Sequence, residues 1–265
     1  MKKITLILLI TALSILAQAH EFWLLPKKFR YKAGEEIKID LMVGEGFEGE
    51  FWDLKRHKVE KLELHRLNGV KELTKEVKPT EGNNLTFKTD LGGTYLFTLK
   101  SNDAYIELEG KEFNAYLEED GLDYILDQRK KSNSLDKKST EYYTRFAKLL
   151  VQSGDRTDNT FKKVVGLKYE IVPEQNPYDL NVGDYMTCKV LYEGKPAPHT
   201  LIKVWNRVRD TSFMQNIYTE NDGTIRFPIS TTGPWMVSSV KMIASEKEGA
   251  EYHSLWASLV FGIKI

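Results

Sequence analysis

Cysteine is nearly absent from this chain of 265 residues, and its single copy, Cys188, excludes an intrachain disulfide. Cys188 falls on the apolar side of an alternating stretch from Met186 to Val190, which predicts a buried core thiol because free cysteine is among the most buried residue types. A chain without cross-links must be stabilised by core burial, and this length allows a core of sufficient size.

An excess of one charge is also missing, since 38 Lys and Arg balance 38 Asp and Glu. A near-neutral chain offers no global field for nucleic acid or an anionic membrane surface. The catalytic signatures G-x-S-x-G, H-E-x-x-H, the P-loop and G-x-G-x-x-G do not occur. We therefore predict a protein that is not an enzyme, and an unrecognised hydrolase is the least favoured interpretation.

The long apolar run of this sequence stands at its beginning. Lys2 and Lys3 precede an uncharged stretch from Ile4 to Leu16, and the small-x-small signal Ala17-Gln18-Ala19 follows. This layout predicts a secretory signal peptide over residues 1–19, and the run is shorter than the roughly 20 residues of a membrane-spanning helix. Cleavage after Ala19 would leave 265 − 19 = 246 residues, begin the mature chain at His20 and place it in the periplasm.

Short stretches of alternating apolar and polar residues, separated by turns rich in Gly, Asn, Asp and Pro, follow the signal. They predict a mainly β protein with two sandwich regions of immunoglobulin-like or transthyretin-like type, at residues 20–112 and 161–265. Between them, over residues 113–160, apolar residues recur at helical spacing and predict a helical hairpin. Its second helix would begin at Asp136 or Ser139 and continue through Val151.

The predicted mature terminus is a candidate metal ligand. The α-amine and imidazole of His20 can both be neutral donors near neutral pH, and together they can chelate one divalent transition metal. His253, at the start of the last strand, is the best candidate for a third nitrogen, and Glu251 stands beside it. Glu21 or Glu251 would orient a ring as an outer acceptor. The predicted metal site is thus His20, His253 and Glu251, and these residues alone allow nickel, cobalt, copper or zinc.

Other candidate residues have simpler explanations. His57 lies in a basic cluster and His65 on a charged strand, so both are predicted on the surface. The acids from Glu118 to Asp120 are predicted near a helix N-terminus, where they complement the macrodipole. Core packing between sheets best explains the five tryptophans, with Trp52 in a glycine-rich loop as the candidate for exposure.

Eight segments occur together along the mature chain: HEFWLLP, KAGEEIKIDLMVGEGF, YLEEDGLDYIL, EYYTRFAKLLVQ, LKYEIVPEQNPY, VLYEGKPAP, TENDGTIRFPISTTGPWMV and SLWASLVFGI. In this order they resemble the exported DUF4198 family, which includes proteins labelled as periplasmic components of cobalt or nickel uptake. The resemblance implies two β-sandwich regions with a helical insertion. It also implies a nickel or cobalt ion that is passed to a membrane transporter.

The alternative hypothesis is a non-catalytic interaction or structural module of the cell envelope. Such a module would present loops or sheet edges to a protein or a glycan. This hypothesis predicts a contiguous exposed apolar patch around Phe47, Phe51 and Trp52.

Overall fold

One large central β-sheet receives strands from nearly the whole chain. The computed structural model describes residues 21–264, so the predicted signal peptide of residues 1–19 and His20 lie outside the described residues. Within this range there are two α-helices, α1 (Gly110–Glu119) and α2 (Asp123–Lys131), and two short 3-10 helices, Thr74–Glu76 and Asn159–Lys162. The strands are β1 (Glu21–Pro26), β2 (Arg30–Tyr31), β3 (Glu36–Glu45), β4 (Glu48–Phe51), β5 (Val59–Arg66), β6 (Gly69–Glu72), β7 (Leu85–Lys88), β8 (Gly93–Ser101), β9 (Ala104–Leu108), β10 (Ser139–Ser153), β11 (Tyr169–Pro173), β12 (Tyr185–Tyr192), β13 (Lys195–Pro196), β14 (Leu201–Val208), β15 (Thr211–Tyr218), β16 (Thr224–Pro228), β17 (Gly233–Ala244) and β18 (Tyr252–Ile263).

The central sheet has the strand order β15-β14-β17-β18-β10-β8-β5-β6, and β2 and β9 also pair with β10. Strands β10 and β18 run parallel, whereas the other neighbours along this order are antiparallel. Strands β1, β3, β4 and β7 form a second sheet, called here the N-terminal small sheet. Strands β11, β12, β13 and β16 form a third, the C-terminal small sheet.

The two small sheets cover opposite faces of the central sheet. In β10, Ala147 and Leu149 belong to the same core cluster as Trp23 of the N-terminal small sheet. Phe146, which has the opposite parity in β10, joins the cluster of Ile171 in the C-terminal small sheet. Since successive side chains of a strand point to opposite faces, β10 is covered on both sides. The helices α1 and α2 pack beside the N-terminal small sheet, on Val240, Met242 and Trp256 of the same face.

The prediction of a mainly β chain is confirmed, and two helices occur where the helical hairpin was expected to begin. The predicted second helix, from Asp136 or Ser139 through Val151, is wrong because this segment is the 15-residue strand β10. Both predicted sandwich regions supply strands to the central sheet. β10 lies between β8 of the first region and β18 of the second.

Candidate functional site

Two buried carboxyl groups and one buried ammonium meet where β1 begins. Lys203 Nζ lies 2.8 Å from Asp120 Oδ1, 3.7 Å from Glu21 Oε1 and 3.9 Å from Glu119 Oε1. The side chains of Glu21, Asp120 and Lys203 are each less than a tenth exposed, whereas that of Glu119 is half exposed. The first described residue of the chain therefore lies beside a group of charges largely shielded from water.

Three separate elements bring these side chains together. Glu21 opens β1, Asp120 directly follows α1, and Lys203 lies on β14. The chain turns sharply after Asp120 because Gly121 adopts a φ of +65°, a conformation that glycine tolerates best. A Cβ at Gly121 would lie 2.6 Å from Leu201 Cβ, so this turn also needs a residue without a side chain to pack against β14.

Burial dominates the electrostatics of this group. Burial raises the pKa of Glu21 to about 7, with Lys203 lowering it and Asp120 raising it. Burial also raises the pKa of Asp120 to about 6, against the lowering effect of Lys203. Burial lowers the pKa of Lys203, but Asp120 and Glu21 outweigh it and the net shift is upward. Lys203 thus stays charged while the two acids titrate near neutral pH.

A third buried carboxyl group lies on the same face of the central sheet. Glu141 of β10 is 3% exposed and accepts a hydrogen bond from Ser254 Oγ at 3.2 Å. Its other oxygen, Oε2, has no hydrogen-bond partner among residues 21–264. Burial raises the pKa of Glu141 to about 8, while the hydroxyl groups of Ser254 and Tyr116 lower it and the charge of Asp120 raises it further. Glu141 thus lies within range of the charge of Asp120, whereas Lys203 pairs with Glu21, Glu119 and Asp120 among residues 21–264.

This carboxylate cluster, defined as Glu21, Asp120 and Glu141 with Lys203, can stabilise an added cation by Coulomb attraction in a poorly hydrated site. Among residues 21–264, no three His, Cys, Asp or Glu side chains form a group able to hold a metal ion. A complete ligand set at the cluster would need a donor from outside those residues. His20, which precedes Glu21 in the sequence, carries donors of the right type.

His253 lies in a different place from the carboxylate cluster. Its Nε2 is 2.7 Å from Thr144 Oγ1 and 3.7 Å from Asp103 Oδ1. Thr144 and His253 face the side of the central sheet that the C-terminal small sheet covers, whereas Glu21 contacts Lys203 and Ser238 on the opposite face. The structure therefore does not bring His253 and Glu21 together.

The contacts of His253 also determine which ring nitrogen is free. Thr144 Oγ1 donates its one proton to Asp103 Oδ1 at 2.5 Å, so it must accept a hydrogen bond from His253 Nε2. Nε2 then carries a proton and Nδ1 remains as the donor for a metal. In a catalytic triad the histidine contacts a hydroxyl with one ring nitrogen and an acid with the other. Here Nε2 faces both Thr144 and Asp103, so these three residues do not form a triad.

Glu251 binds the beginning of β10. Its Oε2 accepts a hydrogen bond from Ser139 Oγ at 2.6 Å, and its backbone nitrogen donates to the carbonyl of Thr140 at 3.0 Å. These bonds fix the loop that leads into β18. The described structure gives Glu251 a local structural contact, and its predicted ligand role stays a prediction.

Several other expectations of exposure are corrected. His65 is 6% exposed and contacts Thr98, so its predicted surface position is wrong. His57 is half-buried and stacks on the indole of Trp52, with ring centroids 5.4 Å apart. Trp52 itself is buried, as is Phe47, and only Phe51 of the predicted apolar patch is exposed. The buried position predicted for Cys188 is confirmed, and burial raises the pKa of its thiol.

Sequence reasoning missed the carboxylate cluster for a physical reason. Asp120 was assigned to a helix N-terminus, but α1 ends at Glu119, so Asp120 lies at the C-terminal end. Glu141 was placed in a helix and Lys203 was not singled out. Lys203 lies between the apolar residues Ile202 and Val204, and this is a weak signal of a charged group beside the core.

No helix in residues 21–264 is long and apolar enough to cross a membrane. Fold and site define a mainly β protein of stacked sheets with a buried carboxylate cluster at its first described strand. A family profile described as a domain of unknown function, DUF4198, matches residues 17–242, and the chain belongs to that family.

No curated protein matches, and three of the similar solved structures are distant from this chain. A tetra-tandem repeat in the extending region of a large adhesion protein is 8% identical, with a TM-score of 0.23, over 93% of this chain and 50% of that one. The D0-D1 domain of intimin is 14% identical, with a TM-score of 0.21, over 91% and 97% of the two chains. Dimeric latent PorU from Porphyromonas gingivalis is 11% identical, with a TM-score of 0.19, over 96% and 21%. The chain thus spans half the length of the adhesion repeat.

Proposed function

We propose that the mature protein is an exported, non-catalytic binding protein that holds one divalent transition metal at the start of β1. In this proposal the amine and imidazole of His20 supply two nitrogens. The carboxyl groups of Glu21 and Asp120 supply oxygen ligands or orient the imidazole as outer acceptors. The ion would be cargo, passed on to a membrane uptake system.

The observation that carries this proposal is the imbalance of buried charge. Glu21 and Asp120 are both buried, and Lys203 is the one buried ammonium that contacts them within residues 21–264. Removing several carboxylates from water is costly unless cations compensate them. A metal ion held by the residue that precedes Glu21 would supply such compensation.

The ligand types narrow the choice of metal. Nitrogen donors select first-row transition metals over calcium or magnesium, and affinity for such donors rises from cobalt through nickel to copper. The choice of nickel or cobalt within that range comes from the family resemblance. The arrangement in which His253 supplies a third nitrogen is retained as the rival geometry, and a His253→Ala variant separates the two. Loss of binding in that variant would favour the rival.

Mass spectrometry of the native protein from the cell envelope, followed by metal analysis of the same sample, tests the proposal. We expect a chain that begins at His20 and carries about one metal ion per chain when nickel is supplied to the cells. A His20→Ala control keeps an α-amine but lacks the imidazole, so it should carry no metal. A native chain that begins at another residue would contradict the proposal.

The second candidate, an envelope interaction module, is favoured by strand β15. This strand ends the central sheet, carries no charged residue and exposes Phe213, Met214 and Tyr218. Exposed, uncharged edge strands can add a strand from a partner. Co-sedimentation with purified cell-envelope fragments tests this role. Wild-type protein should sediment and a Met214→Lys variant should not, whereas equal sedimentation of both would exclude β15 as the contact.

A further inference from the structure

A pocket lies on the face of the central sheet that the C-terminal small sheet covers, opposite the face that carries the carboxylate cluster. It has a volume of about 440 Å³, and the buried side chains of Phe146 of β10 and Leu255 of β18 lie beneath it. Val165 and Leu167, which precede β11, line one wall. Both residues pack against the buried core of this face, so the wall is part of the folded structure. The volume is in the range of pockets that take small organic molecules.

A buried ion pair fixes this wall. Glu170 accepts hydrogen bonds from the backbone nitrogens of Val165 at 2.9 Å and Gly166 at 3.0 Å. Lys148 Nζ lies 2.8 Å from Glu170 Oε1, and both side chains are 1% exposed. The buried carboxylate of Glu170 thus binds the ammonium of Lys148 and two backbone amides of the wall. These bonds hold the wall in place against the core.

Positive charge surrounds the pocket. Four lysines line it, against the two acids Glu63 and Asp103; the lysines are Lys61, Lys100, Lys168 and Lys247. Lys247 pairs with Asp103 and Lys61 with Glu63, while Lys100 and Lys168 pair with acids outside the lining. The lining therefore has a net charge of 4 − 2 = +2 before His253 is counted.

We propose that this lysine pocket binds a small organic anion with an apolar body, such as a carboxylate or a sulfonate. The partly exposed side chains of Val165 and Leu167 receive the body, and the ammonium groups of Lys168 and Lys247 hold the acidic head. His253 Nδ1 is available as a further polar contact, since Nε2 is engaged with Thr144. This site lies on the opposite face of the central sheet from the proposed metal centre.

Titration with 1-anilinonaphthalene-8-sulfonate, an aromatic sulfonate whose fluorescence rises in apolar sites, tests the pocket. EDTA is present, so failure of the metal proposal does not affect this experiment. We expect saturable binding of one probe per chain at micromolar concentration. A Lys168→Glu variant should weaken it about fivefold or more, because reversing the charge replaces an attraction by a repulsion. The exposed Lys38, on β3 behind the opposite face, provides a Lys38→Glu control that should bind as the wild type.

Two further measurements complete the test. Decanoate should displace the probe, whereas inorganic phosphate, which has no apolar body, should not at equal concentration. N-phenyl-1-naphthylamine, an uncharged aromatic amine of similar size, should bind at least about fivefold more weakly than the sulfonate. Absence of saturable binding, equal affinity of the two lysine variants, or equal affinity of the neutral probe would each overturn the proposal. Lys168 is partly exposed and Lys38 is exposed, so circular dichroism should show that the Lys168→Glu and Lys38→Glu variants are both folded.

Discussion

Asp120 Oδ1 and Lys203 Nζ form a 2.8 Å ion pair between the end of α1 and β14, at the place where β1 begins. This pair compensates one of the buried acids around it. Glu21, 3.7 Å from the same ammonium, and Glu141, with one unpartnered oxygen among the described residues, have elevated pKa values. The metal-free protein should consequently respond to pH and to substitutions at this cluster in defined directions.

The first prediction concerns Glu141. Its pKa is about 8 in the folded chain, compared with about 4.3 for an unfolded glutamate, so the folded state binds more protons between these values. The contribution of Glu141 to the free energy of unfolding is therefore largest near about pH 4.3. It declines as pH rises towards about 8, by up to about 1.4 kcal/mol per pH unit.

Urea unfolding in EDTA at about pH 5 and about pH 8 measures this decline. A Glu141→Gln variant keeps the shape but cannot ionise, so it should lose clearly less stability between the two pH values than the wild type. The exposed Glu112 on α1 gives a Glu112→Gln control that should follow the wild type. Identical pH dependence for all three proteins would show that Glu141 is not the group responsible.

The second prediction concerns Gly121. A Gly121→Ala substitution should destabilise the fold by about 2 kcal/mol or more, because the new Cβ clashes with Leu201 and the φ of +65° is strained for alanine. Gly194→Ala is the matched control, since Gly194 has a φ of +74° but no heavy atom within 4 Å of a Cβ. Urea unfolding should show the smaller loss for Gly194→Ala, and equal losses would contradict the packing argument.

The third prediction concerns the buried pair Lys148 and Glu170. Glu170→Gln leaves a buried ammonium uncompensated and should cost about 3–5 kcal/mol, whereas adding Lys148→Met should restore part of this loss. The same single variant should weaken sulfonate binding in the lysine pocket, because the pocket wall loses its anchor. Additive costs in the double-mutant cycle would mean that the two groups do not interact as the structure indicates.

The fourth prediction concerns His57. Burial lowers its pKa to about 4, with further lowering by Arg145 and Arg56. Its contribution to stability is therefore complete above the unfolded value of about 6.5 and is lost as pH falls towards about 4. NMR titration should find the His57 ring neutral at about pH 5.5, and Arg56→Gln should move its pKa upward. A His57 ring that titrates near its ordinary value would contradict the buried, stacked position on Trp52.

Sequence pattern was sufficient for the mainly β class and for the position of the first helices, but not for β10. Strands exposed on one face show period-two alternation, which identified many of them. β10 is covered on both faces, so Phe146, Leu149 and Leu150 are all apolar and the alternation disappears. The remaining pattern has spacings of three and four, which favoured a helix. Thr140, Tyr142, Tyr143 and Thr144 were the contrary signal, because such residues favour strands.

The site was harder to predict because its members are far apart in sequence. Glu21, Asp120 and Lys203 come from three elements, and their proximity depends on the turn at Gly121 and on the order of strands in the central sheet. Sequence alone indicated His253 as a partner for the chain start because it begins the last strand. That strand does lie near β1, but alternation turns His253 to the opposite face from Glu21.

Isothermal titration calorimetry of processed protein that begins at His20 tests the central claim most directly. Titration with nickel, cobalt, copper and zinc at about pH 7.5 should show one site with micromolar or tighter affinity for at least one ion. Protons should be released, because the α-amine of His20 is still largely protonated at this pH and Glu21, whose pKa is about 7, is partly protonated. The His20→Ala chain, which lacks the imidazole, should show no such site. Processed protein that binds none of the four ions at micromolar concentration would contradict the account.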